Sequence, residues 1–196
     1  MFYYEKGGGP MMDMGPYYLT ALCYLLGGVK RVMGAGRITF PQRTITSQPR
    51  AGQIMDVQVN THLNGALEFA SGAMGTIQTS FDVHYPREKT RYIEIYGSEG
   101  SLFLPDPNFF DGPVQLYRPK EGLQDIPLIP GHRENARGLG LKDMARAILE
   151  KGPAQCDGQQ LLHVLEIMAG IEKSIETGGW VDMESAYEKP PLADGL

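Results

Sequence analysis

Between residues 56 and 104 runs of alternating apolar and polar side chains are punctuated by tight turn signals. Connections that short join only antiparallel strands, because a parallel pair needs a crossover of about a dozen residues or more. In "DVQVNTHL", Val57, Val59, Thr61 and Leu63 alternate with Gln58, Asn60 and His62. Asn64-Gly65 follows, the strongest short hairpin signal. "ALEFA" returns, Ser71-Gly72 turns again, "AMGTIQTSFDV" makes a longer strand, and "RYIEIYG" pairs with "SLFLP" across Ser98-Glu99. The spacing predicts five antiparallel strands in one meander. One face carries Val57, Val59, Ile77, Phe81, Ile93 and Ile95; the other carries Gln58, Thr76, Gln78, Ser80, Tyr92 and Tyr96. The second face, polar but studded with tyrosines, either meets water or serves as a subunit interface.

Helices flank these strands. Met14, Tyr17, Tyr18, Ala21, Leu22 and Leu25 recur at helical spacing and predict a helix over 10–26, ended by Gly27-Gly28. "VKRVMGAGRITF" reads as a crossing strand. Residues 105–135 form a long irregular, proline-bearing stretch with short edge strands at "VQLYRP" and "DIPLIP". Two helices close the chain, over 140–151 and 157–178, the second N-capped by Asp157 and apolar along Leu161, Leu162, Leu165, Met168 and Ile171 or Ile175. No βαβ alternation occurs. The expectation is an α+β domain over 1–196, an open, largely antiparallel sheet with helices packed on one face.

Composition narrows the function. A net charge of −5 with no basic run argues against nucleic acid or an anionic membrane as partner. Cys23 and Cys156 stand at neither metal nor redox spacing, and two reduced, buried thiols in a cytoplasmic protein are expected. "MFYYEKGGGP" has no apolar core of a signal peptide. His62, His84, His132 and His163 are scattered, so no metal site is expected. Gly-x-Gly pairs at 7–9, 34–36 and 138–140 lack the third glycine, their sixth positions being Met12, Thr39 and Asp143. No dinucleotide cradle is therefore readable.

The remaining candidate is "GGGPMMDMGPYYLTAL", residues 7–22. Asp13 and Tyr17 lie at i and i+4 and project from one helix face. A carboxylate in the first turns gains about 0.3–1 kcal/mol from the helix dipole. A plain structural account, with Pro10 at the first position and tyrosines packing on the sheet, leaves Pro16 unexplained. A proline in a helix interior costs about 3 kcal/mol. Either the regular helix starts near Gly15, or a kink there is useful.

"GGGPMMDMGPYYLTALCYLLGGVKRV" resembles the start of the C-terminal domain of the Gfo/Idh/MocA oxidoreductases, which include glucose–fructose oxidoreductase and inositol dehydrogenase. "IEIYGSEGSLFL" resembles that family's strand, tight turn and strand, and "GLKDMARAILEKGPAQCDGQQLLHVLEIMAGIEKSIETGGWV" its closing helix pair. The resemblance implies a dihydrodipicolinate-reductase-like C-terminal domain that binds substrate and builds homo-oligomers through the open sheet face. It implies a separate N-terminal Rossmann domain, absent from this chain, that holds NAD or NADP. The reaction would be hydride transfer between that cofactor and a carbinol carbon of a sugar or polyol, and this chain alone would be inactive, with no cofactor bound.

Family members show Asp-x-Gly-x-His here, and Tyr17 stands at the histidine position. A phenol near pKa 10 is a poorer base at neutral pH, though it donates hydrogen bonds and relays protons. Asp13 and Tyr17 are thus the implied catalytic pair, with Tyr18, His84 and Arg133 as implied substrate contacts. Taken by themselves, His84 at a strand end reads better as a surface or capping residue, Arg133 and Arg137 as solvated loop arginines, and His163 as a packing residue. Glu188-Lys189-Pro190, in the C-terminal tail, is not the family's catalytic Glu-Lys-Pro. Two rival readings stand beside this one: an oligomeric interaction module without catalysis, and a sugar-active relative that uses NAD without net redox change.

Overall fold

The computed structural model describes residues 2–84, 92–128, 134 and 136–189. After a 3-10 turn at Phe2–Tyr4 come α1 (Pro10–Leu26), β1 (Val29–Arg37), β2 (Gln42–Thr44), β3 (Ile54–Asp56), β4 (His62–Phe69) and β5 (Met74–Ser80). Then follow β6 (Ile93–Tyr96), β7 (Ser101–Leu104), β8 (Gln115–Arg118), β9 (Gly122–Asp125), α2 (Leu139–Glu150), α3 (Gly158–Thr177) and β10 (Val181–Asp182). The chain divides into two compact units, residues 1–83 with 155–195, and residues 84–154. In the second unit β6, β7, β8 and β9 form an antiparallel meander.

The first unit is built on the antiparallel sheet β10-β1-β4-β5, with β2 and β3 paired in a separate ribbon. Strand alternation turns Val32, Leu63, Leu67, Phe69 and Ile77 to one side, where Met11, Leu19 and Cys23 of α1 and Val164, Ile167, Met168 and Ile171 of α3 complete the core. The opposite face carries Met33, Ala35, Asn64, Ala66, Thr76 and Gln78. The α+β class and the open antiparallel sheet with helices on one face are as expected. The single five-stranded meander is not: Thr76, Gln78 and Ser80 belong to this sheet, whereas Tyr96 belongs to the second unit's sheet and Tyr92 directly precedes it.

Asn64-Gly65 does not turn; both residues lie inside β4. A Cβ on Gly65 would stand 2.8 Å from Ile171 Cδ1, and one on Gly34, its cross-strand partner, 2.5 Å from the Ile171 carbonyl oxygen. On Gly36 it would meet Ile175 Cδ1 at 2.7 Å. These glycines form a bed for α3: at Gly34 a side chain would meet helix backbone, and at Gly36 and Gly65 it would have to displace the ends of Ile175 and Ile171.

Polar groups fasten α3 to that bed. The Ser174 hydroxyl accepts the Gly34 N–H at 2.8 Å and donates to the Gly179 carbonyl at 2.5 Å, bridging β1 to the chain entering β10. His163, fully buried, accepts the Val29 N–H on Nε2 at 2.9 Å, with Nδ1 2.7 Å from Ser185 Oγ. An acceptor Nε2 places the ring proton on Nδ1, donated to Ser185, whose hydroxyl donates to Glu166. Glu166 also accepts the Glu184 and Ser185 N–H groups. Its carboxyl, raised by burial, is brought below the usual range by the bonds from Ser185 and Glu184. The Tyr187 ring stacks on His163 at 6.5 Å. His163 is thus a packing residue, as expected.

Three leucines expected on the buried stripe of α3 are exposed, Leu161, Leu162 and Leu165. The face that meets the sheet runs Gln160, His163, Val164, Ile167, Ile171 and Ser174, chosen by which side chains satisfy strand backbone as much as by hydrophobicity. Both cysteines are free, but only Cys23 is buried, its thiol pushed up to about 12 by burial; Cys156 is exposed. Asp157 caps α3 as expected, accepting the Gln160 N–H at 2.9 Å. No helix among the described residues is long and apolar enough to cross a membrane.

Two outcomes test the α3 seat. Gly34→Ala should destabilise the protein by about 1–3 kcal/mol or more, as overpacking against backbone does. Gly140→Ala, which has open space around it on α2, should be neutral or stabilising in the same thermal melts. Burial holds the His163 ring below the usual imidazole range, against the opposing pull of Glu166. The neutral form therefore stabilises the fold above the unfolded value near pH 6.5, and that contribution is lost as pH falls through the folded value. Urea melts from pH 8 to 5 should show wild type losing stability below about pH 6.5, whereas His163→Gln starts lower and declines less over the same window.

Candidate functional site

α1 is continuous from Pro10 to Leu26, so the regular helix does not begin at Gly15. Met11, Gly15, Leu19 and Cys23 form its buried face. A Cβ on Gly15 would stand 3.1 Å from Met168 Sδ of α3, so glycine again permits close helix contact. Asp13 lies two residues, about 200°, around the helix from Met11, and Tyr17 one turn, about 6 Å, further along the same face. Seating Met11 and Gly15 therefore turns Asp13 and Tyr17 away from α3. Asp13 is half-buried and Tyr17 is 38% exposed. Neither side chain has a hydrogen bond or ion pair among the described residues. A carboxylate and a phenol one turn apart can accept from one hydroxyl of a bound polyol and donate to another.

The glycine run before α1 is required by its path. Gly7 and Gly9 have φ of +89° and +97°, which side-chain-bearing residues rarely adopt. A Cβ on Gly8 would stand 2.4 Å from the Phe2 carbonyl oxygen, because the turn folds back onto the N-terminal segment. Gly9 supplies no side-chain cap to α1, and its N–H is instead donated to the Tyr3 carbonyl at 2.7 Å.

Tyr18 packs in part against the hydrophobic core. His84 is exposed and belongs to the second unit. Arg133 lies outside the described residues. Lys189 stands over the Tyr24 ring at 4.1 Å, eleven residues and about 16 Å along α1 from Asp13, at the far end of the helix.

Two polar groupings near the start of α1 carried no local signal in the sequence. Asn60, whose carbonyl oxygen lies 3.4 Å from the Cβ position of Gly9, donates its side-chain amide to Glu172 of α3 at 2.8 Å. Burial raises the Glu172 carboxyl, Asn60 lowers it, and Glu176 adds to the rise. Beside the N-terminal turn, Arg43 pairs with Asp82, which also accepts the Thr61 hydroxyl at 2.7 Å. Burial alone would raise the Asp82 carboxyl; bonds from Thr39 and Thr61 and the charge of Arg43 outweigh it and hold the group low. Their partners lie 112, 39 and 21 positions apart, beyond any short motif. No group of three or more metal-ligating side chains occurs among the described residues.

The chain is similar to D-xylose 1-dehydrogenase (NADP(+)) 2 of Haloferax volcanii, at 25% identity over 92% of this chain and 50% of that protein. It is similar to levoglucosan dehydrogenase of Pseudarthrobacter phenanthrenivorans, at 25% identity over 90% of this chain and 52% of that protein. It thus spans about half the length of the curated relatives it matches. Among solved structures it superposes on levoglucosan dehydrogenase in complex with NADH and L-sorbose with a TM-score of 0.76, at 21% identity, over 94% of this chain and 54% of that one. It superposes on an NAD binding oxidoreductase from Klebsiella pneumoniae with a TM-score of 0.74, at 22% identity, over 93% and 53%. Residues 1–103, which hold α1 and the whole Asp13–Tyr17 stretch, match the family described as GFO/IDH/MocA C-terminal domain. With more than half of its 196 residues matched, the chain belongs to the GFO/IDH/MocA C-terminal domain family.

Proposed function

We propose that this chain is the substrate-binding and oligomerisation domain of an NAD(P)-dependent oxidoreductase acting on a sugar or polyol, and that it works with a nucleotide-binding domain. The observation that carries the reading is the pair Asp13 and Tyr17, without a side-chain partner among the described residues and turned outward on α1 within the segment that matches the family. Relatives named as acting on D-xylose, D-glucosides and levoglucosan support the substrate class.

The glycine pairs among the described residues do not form a dinucleotide cradle. Gly34 and Gly36 lie within β1 beneath α3, Gly7 and Gly9 follow a 3-10 turn and not a strand, and Gly138 and Gly140 start α2 in the second unit. The cofactor is therefore assigned to the partner domain, where it would supply the hydride chemistry. Within this chain, Asp13 accepts a hydrogen bond from a sugar hydroxyl and fixes its orientation. Tyr17 donates a hydrogen bond from its phenol to a neighbouring sugar oxygen and holds it, and Tyr18, the next residue on α1, is assigned to a further substrate contact. The uncovered face of the β10-β1-β4-β5 sheet, with Met33 and Met74 exposed on it, is assigned to homo-oligomer formation.

Calorimetric titration with levoglucosan, D-xylose and methyl β-D-glucoside tests the reading. At least one sugar should bind, and Asp13→Asn should weaken it by about 10- to 100-fold, the loss of a hydrogen bond to a charged group. Tyr17→Phe should weaken it by about tenfold or less. In assays with NAD and NADP the chain alone should show no turnover. Turnover by this chain alone, or sugar binding indifferent to Asp13→Asn, would overturn the proposal.

A further inference from the structure

α1 has no side-chain cap at its start, so something outside the helix must fix where its first turn stands. The N-terminal turn does this directly, since the Tyr3 carbonyl accepts the Gly9 N–H and the Gly9 carbonyl accepts the Asp13 N–H at 3.0 Å. The turn is itself held from below. The Tyr4 carbonyl accepts the Gln58 N–H at 2.8 Å. The Tyr4 ring meets Phe81 edge-on at 5.5 Å and lies under the Arg43 guanidinium, whose Cζ is 5.1 Å from the ring centroid. Arg43 is locked in turn by its ion pair with Asp82, whose side chain is only 7% exposed and which Thr61 also holds.

We infer that Arg43, on the β2–β3 ribbon, is a positioning residue for Asp13, acting through Tyr4 and the Gly9 N–H to set the first turn of α1. The inference rests on the proposed substrate role for the meaning of Asp13, but not for the coupling itself. A planar guanidinium is needed because it lies over the Tyr4 ring while one terminal nitrogen pairs with Asp82 Oδ1; an ammonium is a point charge that does one or the other. Helix starts fray most readily when their caps are lost, so slackening here moves the carboxylate without melting the core.

The test is amide hydrogen exchange by NMR on wild type, Arg43→Lys, Tyr4→Leu and Tyr4→Phe, with the Leu67 and Ile167 amides reporting the core. Arg43→Lys keeps a cation beside Asp82, and the Tyr4 variants leave the ion pair untouched, so none depends on burying an unpaired charge. Arg43→Lys and Tyr4→Leu should speed exchange at Gly9 and Asp13 by about tenfold or more while leaving Leu67 and Ile167 close to wild type, and Tyr4→Phe, which keeps the ring, should match wild type. Unchanged exchange at Gly9 and Asp13, or uniform acceleration across all four amides, would overturn the inference. The same variants are titrated with levoglucosan, where weaker binding by Arg43→Lys and Tyr4→Leu, with Tyr4→Phe normal, is expected. If no sugar binds even wild type, the substrate reading fails while the exchange data still decide the coupling. Sugar affinity unaltered by a loosened first turn would overturn the positioning role.

Discussion

The rest of the first unit depends on how closely α3 lies to the sheet. Gly34, Gly36 and Gly65 leave strand backbone bare beneath Ile171 and Ile175, so the helix sinks to a depth that side chains would prevent. At that depth Ser174 reaches the Gly34 N–H and His163 the Val29 N–H, giving α3 a polar register as well as an apolar contact. Apolar packing alone tolerates sliding; two hydrogen bonds to strand amides, one buried and one part-buried, do not, because each broken one leaves a donor unsatisfied.

α1 inherits its orientation from α3. Met168 of α3 meets Gly15, and the apolar row from Met11 to Cys23 turns inward. Since side chains on a helix are fixed at about 100° per residue, seating that row points Asp13 and Tyr17 the other way. The glycines of the opening stretch then have a structural role, whereas Pro16 has no structural explanation. The three glycines let the chain double back on residues 2–4 before α1, and Pro16 sits within the continuous helix, one residue from the outward-facing Tyr17. The placement of the proposed site is thus a consequence of core packing, with the N-terminal turn and the Arg43–Asp82 pair bracing its free end.

Much of this was legible from local pattern. Helix periodicity placed α1 at its observed bounds and α2 and α3 within a residue, and Asp157 announced its cap. What failed were signals that tertiary contact overrides. Asn64-Gly65 is a strong hairpin pair, but Gly65 exists to admit Ile171, and the strand runs through it. Leu161, Leu162 and Leu165 are the most hydrophobic choice for a buried stripe, yet Gln160, His163 and Ser174 take the inner face, two of them because strand amides need acceptors there. Asp13 and Tyr17 were visible because their spacing is local. The Arg43–Asp82 and Asn60–Glu172 pairs were not, since only the fold brings them together.

The central claim is that core packing turns Asp13 and Tyr17 outward to meet a sugar. A crystal structure of the protein soaked with levoglucosan tests it most directly. The account predicts a sugar hydroxyl at about 2.5–3.2 Å from the Asp13 carboxylate and another oxygen within reach of the Tyr17 hydroxyl. A sugar bound elsewhere on the protein, with Asp13 turned onto a partner within its own chain, would contradict it.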